Sequence, residues 1–183
     1  MKDIKVKMKD FLKNHGDRIK EFLKIFSLVF ALNLFLLSFV NLITNGTETD
    51  VFYGGDTPRV LQDMTLQDGL HYRTSVHPLF VILTQPLVRV LGKLTGVVVA
   101  AVIFEAAIGA LSVTLFYQLM QKLKISKKTS LLATIVLTFA FTQVAFNSIF
   151  ETYVFSQFGL MLMWVIAAGM IDKKLELKDY ALL

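Results

Sequence analysis

Apolar residues fall into four long blocks along the chain, and only one of the polar stretches between those blocks is long. The first block, residues 25–44 (IFSLVFALNLFLLSFVNLIT), has roughly twenty residues, enough as a helix to cross about 30 Å of hydrocarbon. The second, 96–120, contains Glu105 and carries the small residues Ala106, Ala107, Gly109, Ala110 and Ser112 on its middle turns. Small residues let helix backbones approach closely, so this block is expected among other helices. The third, 131–146, is short for a span, and the brief connection NSIFE leads from it to the fourth, 152–171. The pattern predicts an all-α polytopic membrane protein with about four transmembrane helices.

The connections carry their own signals. In residues 1–24, Ile4, Met8, Phe11 and Leu12 recur at helical spacing, which fits either an amphipathic surface helix or a solvated basic tail. Asn14, His15 and Gly16 are expected to interrupt that helix, with Asp17 capping the next one. Large residues persist through the first block, so it reads as a retained anchor rather than a cleaved signal, with Asn45-Gly46-Thr47 as a turn. In the long loop, 45–95, Asp56-Thr57-Pro58 predicts a short interfacial helix with Asp56 as N-cap, Val60, Leu61 and Met64 on one face, and an end at Gly69. His77-Pro78 opens a second segment, Leu79 to Leu91, interrupted by Pro86 and Arg89 and expected to be interfacial or re-entrant.

Composition supports the membrane reading. The 183 residues are 55% hydrophobic with a mean hydropathy of +0.60. Cysteine is absent, which removes disulfides and thiolate metal sites. The net charge of +5 does not indicate nucleic acid, because Lys and Arg are confined to the flanks of apolar blocks. With a cytoplasmic N-terminus and four spans, the cytoplasmic segments 1–24, 122–128 and 172–183 hold fifteen Lys and Arg, against four in the loop 45–95. That asymmetry predicts a multi-pass protein of the cell membrane with both termini cytoplasmic and the long loop outside. The chain divides into a basic N-terminal segment 1–24, a transmembrane region 25–171 and a charged C-terminal segment 172–183.

Any chemistry is expected in the long loop, which gathers Asp56, Arg59, Asp63, Asp68, His71, Arg73 and His77. An acid soon after the first span, an Arg three positions on (GDTPRV), an interfacial helix, then a basic residue with Pro-Leu (SVHPLF) resembles the GT-C superfamily of membrane glycosyltransferases. Protein O-mannosyltransferases and bacterial aminoarabinose transferases are the members it is most similar to. The resemblance covers roughly residues 25 to 170 and rests on Asp56, Arg59, His77, Pro78 and Leu79. It implies transfer of a sugar from a polyprenyl-phosphate donor to an acceptor on the outer face. The first-loop acid, here Asp56, would then be the general base on the acceptor hydroxyl. Such a displacement needs a carboxylate for the acceptor's proton and cations for the departing phosphate; Arg59, Arg73 and His77 are placed to supply the latter. GT-C enzymes have more spans than four, so the resemblance implies either the N-terminal portion of a longer transferase or a small protein that kept the first half of that architecture. In both cases the chain is not expected to act alone, with membrane lipids, the lipid-linked sugar and a missing C-terminal part or further membrane subunits as partners.

Plainer roles stand beside these. Asp56 may be read as a helix cap alone, Arg59 as a headgroup contact or an i+4 partner of Asp63, and His77 as a helix-start residue. Glu105 and Glu151 are further substrate-binding candidates. A carboxylate inside a span costs about 2.5 to 3.5 kcal/mol on insertion scales, so Glu105 should face protein or water, with Gln143 or Thr142 as hydrogen-bond partners. Glu151 either lines the same cavity or caps the fourth helix. His71, His77, Asp63 and Asp68 match no familiar ligand spacing, so no metal and no further cofactor is indicated. Nucleotide-binding, zinc-protease and serine-hydrolase motifs are absent. A non-enzymatic four-span protein, such as a transporter or flippase subunit, is the alternative.

Overall fold

A computed structural model describes residues 2–44, 56–66 and 77–171, with side chains in the first helix described from Gly16 to Val40. The turn expected at Asn45, the residues Asp68, His71 and Arg73, and the segment 172–183 lie outside the described residues. The described residues form helices and turns only: α1 (Lys2–Thr44), α2 (Thr57–Thr65), α3 (Pro78–Thr95), α4 (Val97–Lys122), α5 (Lys127–Thr138), α6 (Phe141–Phe146) and α7 (Tyr153–Met170). Three stretches, Gly16–Val40, Val97–Lys122 and Tyr153–Met170, are long and apolar enough to cross a membrane. These are the features of an all-α, multi-pass membrane protein.

The central helix is α4, where half of the most apolar window is buried against 11% in α7. Its small residues permit this. Ala100 and Ala101 pack with Val88 and Phe80 of α3, while Ala110 and Val113 meet Ile25 and Val29 of α1. Buried hydroxyls fold back onto their own helices, Thr114 donating to the Ala110 carbonyl at 2.7 Å and Ser112 to Ile108 at 2.9 Å, so they add no unsatisfied donors to an apolar interface.

Side-chain contacts give the direction of each helix. Asn33 of α1 donates to the carbonyl of Ala106 (3.3 Å), whereas Ile25 of α1 packs in one cluster with Tyr117, so α1 runs antiparallel to α4. Near the start of α7, the N–H of Glu151 reaches Glu105 (3.3 Å), and near its end Gly169 faces Lys122, a Cβ there standing 3.0 Å from the Lys122 Nζ. Thus α7 runs parallel to α4. The chain between them must travel back along α4, and it does so in two pieces. Ser130 of α5 accepts from Gln121 (2.8 Å), and Asn147 after α6 lies against Gly109, twelve residues or about 18 Å higher on α4.

The structure corrects several expectations. The block 131–146 is not one helix: α5 ends at Thr138, Phe139 and Ala140 break the ladder, and α6 is only six residues long, so this block is not among the three helices with span length and hydropathy. α1 continues through Asn14, His15 and Gly16, because one glycine costs about 1 kcal/mol, less than helix-forming neighbours on both sides recover by cooperativity. α2 stops at Thr65 rather than Gly69, and the Thr65 hydroxyl bonds the Leu61 carbonyl (2.7 Å) in that last turn. α3 extends to Thr95 with Pro86 inside it, then turns into α4 through one residue, Gly96, at φ 88°. That left-handed backbone favours glycine, and Gly92 allows the turn to close: a Cβ there would stand 2.9 Å from the Val97 Cα.

Candidate functional site

The connection NSIFE, which looks like a mere linker in the sequence, builds the site. The Asn147 amide donates to the Gln143 carbonyl (2.7 Å) and the Ser148 hydroxyl to the Ala145 carbonyl (2.8 Å), which closes the turn locally. Ile149 and Phe150 are buried, and Phe150 joins Val60 and Met64 of α2, Phe80 and Val88 of α3, and Ala100 and Ala101 of α4 in one apolar cluster. Phe150 therefore acts as a plug on which α2 is seated, and the next residue, Glu151, is presented beside the start of α2.

Four of the residues singled out from sequence meet there. The Asp56 N–H donates to Glu151 Oε1 at 2.7 Å, and the Thr152 N–H donates to the second oxygen of the same carboxylate at 3.1 Å. The Glu151 N–H in turn donates to Glu105 Oε1 at 3.3 Å. At the outer end, Asp56 Oδ1 pairs with Arg59 Nη2 at 3.1 Å. The series Arg59–Asp56–Glu151–Glu105 thus passes from half-exposed side chains (49% for Arg59, 35% for Asp56) to buried Glu151 and Glu105. Three carboxylates from three separated parts of the sequence are linked in series, the outermost paired with a guanidinium. A carboxylate at the N-terminus of α2 is also favoured by the positive end of that helix.

The roles differ from the sequence expectations in detail. Asp56 occupies the N-cap position of α2, but its carboxylate makes no capping hydrogen bond; it faces Arg59 one turn on, and so is kept on the surface of the site. Arg59 pairs with Asp56, three positions before it. Glu105 is reached by the backbone of Glu151, not by Gln143 or Thr142; the Gln143 carbonyl of the side chain accepts from Gln157 (2.6 Å). Glu105 Oε2 is buried with no hydrogen-bond partner among the described residues. Glu105 stands ninth in the 26 residues of α4, about 12 Å from its first residue and on the side of α2.

His77 lines a cavity of about 370 Å³ between α3 and α7. Phe80, Leu83 and Phe155 form its apolar walls, and Thr84, Thr152 and Ser156 add hydroxyls. Phe80 and Phe155 pack edge to face, centroids 5.0 Å apart. Thr152 follows Glu151 directly, so the apolar cavity opens next to the carboxylate series. Arg73 lies outside the described residues, and among those described no cluster of three His, Asp or Glu could hold a metal ion.

Below the carboxylates lies a polar layer that sequence reasoning did not pick out as a unit. Asn33, Asn147, Gln143 and the face of Gly109 meet there, and a Cβ on Gly109 would fall 2.0 Å from Asn147 Oδ1 and 2.8 Å from Asn33 Nδ2. The signal for Asn33 was its place in an apolar span, where an amide needs a partner. In comparisons with protein-family models, curated proteins and solved structures, no match to this chain was found.

Proposed function

We propose that the chain forms part of an integral membrane glycosyltransferase of GT-C type, moving a sugar from a polyprenyl-phosphate donor to an envelope glycan, lipid or protein acceptor on the extracytoplasmic side. The observation that carries this reading is the series of contacts from Arg59 through Asp56 and Glu151 to Glu105, at the end of the bundle away from the lysine-rich turn at 122–128. Asp56 takes the proton of the acceptor hydroxyl. The acceptor oxygen then bonds to the anomeric carbon as the bond from that carbon to the phosphate oxygen breaks. The charge left on the phosphate falls to Arg59, with His77 and Arg73 as further cations. Glu151 holds the backbone of Asp56 and Glu105 holds that of Glu151, which sets the position of the base from within the bundle.

The cavity lined by Phe80, Leu83 and Phe155 suits the isoprenoid portion of the donor, since its walls are apolar and it opens beside Thr152. α5 and α6 together serve as the fourth membrane crossing. Their support is the climb along α4 from the level of Gln121 to that of Gly109. The positive-inside asymmetry then puts the site outside the cytoplasm. Replacing Asp56→Asn is expected to abolish sugar transfer in membranes containing the protein while leaving insertion intact; transfer at the rate of the unaltered protein would remove the assignment.

A second reading, a transporter or flippase subunit, draws support from the buried polar layer of Asn33, Gln143 and Asn147 in the interior of the bundle. Photo-crosslinking with a polyprenyl-phosphate analogue separates the two. Labelling within 56–66 and 77–84 favours the transferase, and labelling confined to the faces of α1 and α4 around Asn33 favours passage through the bundle.

A further inference from the structure

The opposite end of the bundle holds a second polar cavity that the transferase reading does not use. It measures about 410 Å³, within the range of ordinary ligand sites, and lies between the cytoplasmic-side turns of α1 and α4. Arg18, Glu21, Tyr117, Gln118, Gln121 and Lys122 line it. Its charge balance is positive. Glu21 is engaged by Lys127 at 2.6 Å, which leaves Arg18 and Lys122 as the cations that dominate the cavity. Gln121 is fixed by its hydrogen bond to Ser130 (2.8 Å).

One group in the wall is loosely held by the protein. Tyr117 is 4% exposed, and its hydroxyl lies toward Glu21, which Lys127 engages, without closing a hydrogen bond of good geometry. A buried hydroxyl without a partner costs about 1 to 3 kcal/mol, so a ligand that supplies an acceptor there is favoured. Two cations, the Gln118 amide and the Tyr117 hydroxyl are a donor set suited to a phosphate oxyanion. Beside the cavity, Phe22 of its wall starts a stacked file on α1, Phe22 to Phe26 at 6.5 Å and Phe26 to Phe30 at 5.7 Å, with nearly parallel rings that run toward the middle of the span. Ile19 and Leu23, on adjoining positions, are more than half exposed. A phosphate seated between Arg18 and Lys122 would therefore have an apolar track leading away from it along the helix.

We propose that this cavity binds the phosphate headgroup of an anionic membrane phospholipid, its acyl chain lying along Phe22, Phe26 and Phe30. The site is independent of the carboxylate cluster and of sugar transfer. It clamps α1 to α4 at the end where α5 is tied to both, through Lys127 to Glu21 of α1 and through Ser130 to Gln121 of α4.

Native mass spectrometry of the purified full chain, with phosphatidylglycerol or phosphatidylcholine added, tests it. Phosphatidylglycerol is expected to be retained at least about tenfold more tightly than phosphatidylcholine, and the Arg18→Gln/Lys122→Gln variant to lose that preference. A Lys124→Gln/Lys128→Gln variant, with the same change in net charge, should keep it. Tyr117→Phe, which leaves packing intact, is expected to weaken phosphatidylglycerol binding severalfold. Equal retention of both lipids, or an unchanged preference in both the Arg18/Lys122 and Tyr117 variants, would overturn the site. Displacement of phosphatidylglycerol by millimolar inorganic phosphate would keep the phosphate site and overturn its membrane source.

Discussion

The two ends of the α4 helix solve opposite problems. At the end near α2, acidic groups are held by backbone N–H donors and an apolar plug: Glu105 by the Glu151 amide, Glu151 by the Asp56 and Thr152 amides, and the whole turn by Phe150. At the end near α5, the charges sit on long side chains, Arg18 within α1, Lys122 at the end of α4 and Lys127 at the start of α5, around an open cavity. The first arrangement holds its groups firmly because the backbone itself makes the bonds. The second leaves room for a ligand, because flexible cations can rearrange around one. Rigid polar geometry in this protein therefore comes from loops locked by buried apolar residues, and adaptable polar geometry from long cationic side chains on helix surfaces.

That difference sets the order of expected mutational effects. Phe150→Ala empties the seat of α2 and should cost the most, about 3 to 5 kcal/mol, read as a fall in the thermal midpoint in detergent. Gly109→Ala drives a Cβ into Asn147 and Asn33 and is expected to cost about 1 to 3 kcal/mol in the same measurement. Glu151→Ala removes the acceptor of two backbone N–H groups; about 1 to 3 kcal/mol should be lost, together with transfer activity, whereas Glu151→Gln, which keeps an acceptor oxygen, should lose less stability. At the other end, Lys127→Ala breaks an ion pair whose lysine is 70% exposed, worth about 0.2 to 1 kcal/mol, and the loss should shrink further in high salt. A Lys127→Ala effect as large as that of Phe150→Ala would erase the contrast between the two ends.

Much of this was legible in the chain. The apolar blocks placed α4 and α7 to within a few residues, because length and hydropathy are properties of the segment itself. Asp56 and Arg59 stood out in the one long polar loop and in its resemblance to GT-C enzymes, and Glu105 because charge inside a membrane span is costly. The break after Thr138 was not legible: no Pro or Gly stands at Phe139 or Ala140, and the helix stops there although its residues would permit it to continue. Nor did spacing reveal that Glu105 and Glu151, 46 positions apart, would be joined through a backbone amide rather than a side chain. Such a contact depends on the parallel course of α4 and α7, which no local pattern encodes. The role of NSIFE was hidden for the same reason, since Phe150 looks like any apolar linker residue until α2 is seated on it.

The central claim is that the carboxylate site and the lysine-lined cavity stand on opposite faces of the membrane, with the carboxylates outside. The absence of cysteine makes this directly measurable. Single substitutions at two exposed positions, Arg59→Cys beside Asp56 and Lys127→Cys beside Glu21, can be probed with a membrane-impermeant maleimide on intact cells and again after permeabilisation. The account predicts that Arg59→Cys is labelled in intact cells and Lys127→Cys only after permeabilisation. Labelling of both from the same side, or of Arg59→Cys only after permeabilisation, would contradict it.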